Sequence, residues 1–103
     1  MYSEYEIKNL LNLENNELNI YIITSKNIYY NDDSQLEQAY LHKKKAIEYV
    51  NIYDKIFSDN DMKLDIDEIK ISIKITGQLY IIYSNNKNYI KKYNLQNILS
   101  MLE

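Results

Sequence analysis

The sequence predicts an α+β fold in a single small domain covering residues 1–103. Three observations carry that prediction. Isoleucine stands at every second position from Ile69 to Ile75, with Lys70, Ser72 and Lys74 between, so a strand here turns apolar groups to one face and polar groups to the other. Gly77, the only glycine, falls where this alternation stops and marks a hairpin turn. Ser3–Glu6 and Ser34–Glu37 both have the form of a capping box, which closes a helix N-terminus by reciprocal side-chain to backbone bonds. Together they give the order α-β-β-α-β-β-β-α, a mostly antiparallel sheet and one long central helix packed across it.

The first helix starts at Ser3, with Tyr2 and Ile7 placed for a hydrophobic staple and Ile7, Leu10 and Leu11 forming its apolar stripe. It ends near Leu13 to Asn16, where Asn15-Asn16 reads as a turn. Leu18–Thr24 is a strand, Ser25-Lys26-Asn27 a turn and Ile28–Tyr30 a short second strand, closed by Asn31-Asp32-Asp33. The second helix is expected from Gln35 to about Ser58, with Asp32 and Asp33 at its positive end. At 1.5 Å per residue it would be roughly 36 Å long. Leu36, Ala39, Tyr40, Ala46, Ile47, Val50, Tyr53 and Phe57 would share one broad arc, into which Lys43 intrudes.

Asp59-Asn60-Asp61 ends that helix. Met62–Glu68 is acidic, and the alternation changes parity at Glu68-Ile69, which predicts a bulge or bend. Leu79–Tyr83 is apolar on both faces and is expected inside the sheet. Ser84–Asn88 is a turn cluster, and Tyr89–Tyr93 a third strand of the meander. Asn94 caps a last helix whose stripe is Leu95, Ile98, Leu99 and Leu102. One helix from Asn88 to Leu102 is the alternative for this end.

Composition narrows function more by exclusion than by indication. No run of about 20 apolar residues exists to cross a membrane as a helix, and the N-terminus lacks a signal-peptide pattern, so a cytoplasmic protein is expected. Cysteine is absent, which removes disulfides, thiol nucleophiles and thiolate metal sites. All twelve basic residues are lysine against fifteen acidic residues, for a net charge of -3. Arginine, the usual reader of phosphates and bases, is missing, which weighs against nucleic-acid binding. Twelve tyrosines suit an adaptable binding surface, though A/T-rich codons produce the same enrichment in Tyr, Asn, Ile and Lys. With one glycine there is no phosphate-cradling loop, and no acyl-transfer or metal-hydrolysis motif is present; neither enzyme activity nor a cofactor is expected.

Three clusters remain. His42 stands beside Lys43, Lys44 and Lys45, with no spacing that supplies it a nucleophile and an orienting carboxylate. The acidic residues Asp59, Asp61, Asp65, Asp67 and Glu68 fail the calcium-loop pattern, with Lys63, Leu64 and Lys70 at diagnostic places, and are expected instead as a patch that docks on a basic partner. Leu41, Tyr49, Ile52 and Ile56 would form a second helical stripe opposite the sheet, for packing against another helix or a second copy of the chain.

In size, acidity and composition the chain resembles the small acidic proteins of phages and mobile elements of low-GC bacteria: anti-CRISPR proteins, immunity proteins and antitoxins. The resemblance implies a non-enzymatic inhibitor that occupies a basic surface of a larger protein. The alternative is a nucleic-acid-binding regulator using Lys43, Lys44, Lys45, Lys87, Lys91 and Lys92.

Overall fold

A computed structural model describes residues 1–30 and 34–103. Its spine is β3 (Met62–Thr76), a 15-residue strand. At about 3.3 Å per residue such a strand runs close to 50 Å, and the longest dimension of the molecule is 50 Å. β1 (Glu17–Asn27) lies antiparallel along it, from Glu17 opposite Ser72 to Asn27 opposite Met62, with no break in register. β2 (Ser34–Tyr40) pairs with β1 and β4 (Leu79–Ser84) with β3, giving an antiparallel sheet in the order β2-β1-β3-β4.

Each face of the sheet carries a core over part of its length, and this explains the parity change in β3. Leu64 and Ile66 point to one face, where α2 (Lys43–Asp59) packs Ala46, Val50 and Phe57 against Ile23 of β1. Ile69, Ile71 and Ile73 point to the other, beneath Ile7 and Leu11 of α1 (Glu4–Leu13) and Ile98, Leu99 and Leu102 at the C-terminus. The strand has no bulge at Glu68-Ile69; it serves two cores in turn. Each fully buried side chain of this kind contributes roughly 1.5–3 kcal/mol. Ile75 shares the face of its neighbours but is exposed, because it lies at the hairpin end beyond the helices.

The capping box at Ser3 forms as expected: Ser3 Oγ accepts from the Glu6 amide and Glu6 Oε1 from the Ser3 amide, both at 3.1 Å. The one at Ser34 does not. Ser34–Tyr40 is β2, and the long helix begins nine residues later, at Lys43. Its 17 residues span roughly 25 Å. Glu37 is instead the extra residue of a β-bulge: Ile23 pairs with Gln38 and Thr24 with Leu36. Its carboxylate accepts from the buried Ser25 hydroxyl at 2.6 Å. Leu36 and Ala39 therefore lie on one face of a strand and Tyr40 on the other, and the intrusion of Lys43 disappears because it opens the helix at the surface.

Other boundaries moved as well. Ser25-Lys26-Asn27 continues β1, and Ile28–Tyr30 is not a strand; the closing Asn31-Asp32-Asp33 lies outside the described residues. Tyr89–Tyr93 is no third strand but falls in and just after α3 (Lys87–Lys92), capped by the Asn86 side chain. α4 (Leu95–Met101) follows with Asn94 as its N-cap, so the single helix of the alternative reading is broken at Tyr93-Asn94. The observed order is α-β-β-α-β-β-α-α. Among the described residues no helix is long and apolar enough to cross a membrane.

The turn Thr76-Gly77-Gln78-Leu79 is a two-residue hairpin with positive φ at Gly77 only (64°), the pattern of a type II′ turn. β4, expected inside the sheet, is an edge strand, with Leu79 and Ile81 exposed. The apolar groups that suggested an interior strand face α1 on one side (Tyr80, Ile82) and solvent on the other.

Candidate functional site

A groove of about 570 Å³ lies between α2, β2 and the two chain ends. Three tyrosines form its wall. Tyr40 projects from β2 on the α2 side of the sheet, and Tyr49 and Tyr53 stand one helical turn apart on α2. Their rings pack in tilted pairs, Tyr40–Tyr49 with centroids 6.3 Å apart and Tyr49–Tyr53 at 4.5 Å. Tyr2, His42, Lys45, Glu48 and Glu103 are among the other residues that line it. The C-terminus is held there by bonds from the Leu41 amide to Glu103 O and from the Glu103 amide to Ala39 O.

Partial burial raises the pKa of the Tyr40 and Tyr49 phenols, with the negative charges of Glu103 and Glu37 adding to the respective shifts. Both remain neutral donors at physiological pH. Ile52 also lines the groove, and Ile56 stands one turn further along α2 outside it; the two are 67% and 56% exposed. An aromatic wall, mixed charges and exposed isoleucines thus meet on one surface. His42 is the N-cap residue of α2 and makes no side-chain capping bond there.

The expected stripe Leu41, Tyr49, Ile52 and Ile56 is not one surface. Leu41 precedes the helix and packs with the core on the opposite face of the sheet. Tyr49 is half-buried against Tyr40, which leaves Ile52 and Ile56 as the exposed pair.

The five acidic residues are dispersed by strand alternation. Asp59 ends α2 and Asp61 sits in the following turn with φ 59°. Asp65 and Asp67 point to the α3 side of β3. Asp65 lies 3.9 Å from Lys26 and 3.8 Å from Lys63, and Asp67 accepts a bond from Tyr89. Glu68 points to the α2 side and accepts from the Tyr21 hydroxyl at 3.3 Å. The lysines of the alternative reading are also divided: Lys43, Lys44 and Lys45 open α2 on one face of the sheet, while Lys87, Lys91 and Lys92 belong to α3 on the other. Among the described residues no three His, Asp or Glu side chains converge as a metal site would require.

A second, polar concavity of about 250 Å³ lies on the α3 side, lined by Thr24, Lys26, Ser34, Asp65, Asp67 and Tyr93 among others. The hydroxyls of Ser34 and Tyr93 are hydrogen-bonded across it. The sequence predicts helix at Tyr40, which hides its meeting, from β2, with Tyr49. The i, i+4 spacing of Tyr49 and Tyr53 was the available signal. No family model, curated protein or solved structure matches the chain.

Proposed function

We propose that the chain is a non-enzymatic protein-binding module whose contact surface is the tyrosine groove with the adjoining Ile52 and Ile56. The observation that carries this reading is the exposure of that isoleucine pair beside an aromatic wall. Exposed apolar groups next to rigid tyrosines have the composition of an interface centre. The finer reading is a small acidic inhibitor, of the phage or mobile-element kind that includes anti-CRISPR proteins, immunity proteins and antitoxins. It works in the cytoplasm by occupying a basic surface of a larger partner. The net charge of -3 supports it, since complementary charge speeds encounter.

The test is capture from the native host with wild type and with an Ile52→Asp, Ile56→Asp double variant, both checked for fold by circular dichroism. A protein retained stoichiometrically by wild type and lost by the folded double variant supports the module, and a basic retained protein supports the inhibitor. Retention of the same protein by both chains removes the groove as the contact surface. Nucleic-acid binding that falls steeply with salt replaces this reading with the lysine-based regulator.

A further inference from the structure

The two edges of the sheet are finished differently. The chain's own C-terminus closes part of the β2 edge: Leu102 bridges in parallel to Ala39, and Glu103 exchanges backbone bonds with Ala39 and Leu41 at 2.9 and 2.8 Å. The Glu37 bulge distorts the strand further along. The β4 edge carries none of these devices. Leu79–Ser84 contains no charge, proline or glycine, and its pairing with β3 runs without a bulge. Among the described residues, no backbone hydrogen bond from another segment reaches its outer side. Leu79, Ile81 and Tyr83 alternate along one face of the strand, 77%, 61% and 38% exposed.

The hairpin geometry sets which amides are free. A two-residue turn closes on a pair that exchanges both backbone bonds, and bonding then alternates along the strands. With Thr76 opposite Leu79 as the closing pair, Leu79, Ile81 and Tyr83 turn their amides to β3. Tyr80 and Ile82 turn theirs to the open edge.

We propose that β4 pairs antiparallel with β4 of a second copy of this chain, about a two-fold axis through Ile81 perpendicular to the sheet. The register follows from the free amides. Tyr80 exchanges bonds with Ile82 of the partner subunit, Leu79 stands opposite Tyr83 of the partner subunit, and the two Ile81 side chains meet at the axis. Each residue then stays on its own face, and every cross-strand pair is apolar or aromatic. Charge selects the occupant. β4 itself carries no charge to pair with a charged strand, and Lys74 beside it on β3 disfavours a basic one. In the two-fold pairing the two Lys74 rows are three strand spacings apart, roughly 14 Å, beyond the Debye length of about 8 Å at physiological salt. A strand pair of the five residues 79–83 lies at the small end of specific interfaces, so the dimer is concentration-dependent. It stops at two copies, as one continuous eight-stranded sheet, because the β2 edge is partly closed by Leu102 and Glu103 and is bulged at Glu37.

Light scattering and sedimentation equilibrium over about a hundredfold range of concentration test this on wild type, Ile81→Lys and Ile81→Glu. The expected result is a monomer–dimer equilibrium for wild type, monomer for each variant alone, and dimer restored on mixing the two variants. Restoration is specific to position 81 meeting itself. A wild type that stays monomeric, a dimer that survives Ile81→Lys, a mixture that stays monomeric, or a mass that climbs past two copies overturns the pairing. Should the variants fail to fold, hydrogen exchange on wild type decides. Tyr80 and Ile82 amides that slow with rising concentration support the pairing, and unchanged rates overturn it. The groove plays no part in this outcome.

Discussion

The Tyr89 hydroxyl donates to Asp67 Oδ2 at 3.0 Å and so ties α3 to the middle of β3. The two residues are 22 apart in sequence, and the bond satisfies a half-buried carboxylate. The Tyr89 ring also packs on Tyr93, with centroids 5.0 Å apart.

This pair predicts an alkaline limit to stability. Burial first, and the Asp67 charge second, raise the Tyr89 phenol well above its ordinary value of 10.0. Below that value both folded and unfolded chains keep the proton, and the interaction contributes in full. Above it the unfolded chain releases its proton while the folded chain retains it, so stability falls as pH rises past about 10. Urea midpoints should decline over that range and decline less in Tyr89→Phe. At pH 7 that variant should be less stable by about 1–2 kcal/mol.

At the acid end the capping box is the sensitive element. The Ser3 backbone bond, then the Ser3 side-chain bond, lower the Glu6 carboxyl below its ordinary value. Its contribution is present above the unfolded value and is lost as pH falls through the folded one. Helix α1 should therefore loosen in acid, and Glu6→Gln should flatten that dependence. Amide exchange at Ser3, whose N–H bonds to Glu6, reads the change directly.

Gly77→Ala should cost about 1–2 kcal/mol, measured by urea denaturation. A Cβ there meets nothing within 4 Å, so the whole cost is the positive φ of 64°. A neutral result would mean that the hairpin turn is not of the type described.

The isoleucines should separate into two groups on truncation. Ile22, fully buried between β2 and β3, should lose about 2–5 kcal/mol as Ile22→Ala. Ile56, more than half exposed, should change by less than about 0.5 kcal/mol as Ile56→Ala. Thermal unfolding of the two variants side by side distinguishes core from surface.

The features legible before folding are those closed within a few residues. The Ser3–Glu6 box, the Asn15-Asn16 turn, the Gly77 hairpin and the Asn94 cap each rest on backbone and side-chain groups that meet locally, and all four form. The alternation of Ile69, Ile71 and Ile73 is local in the same sense, and these three are buried on one face. Ser34–Glu37 obeys the same local rule and fails, because pairing with β1 offered its backbone a ladder that a helix start could not match. Long-range pairing decided the rest. The edge position of β4, the two cores served by β3, and the meeting of Tyr40 with Tyr49 depend on which strand lies beside which and on helices covering both faces. Alternation along a strand says that two faces differ. What covers each face is set by elements dozens of residues away, so the groove and the open edge come into view only once the chain is packed.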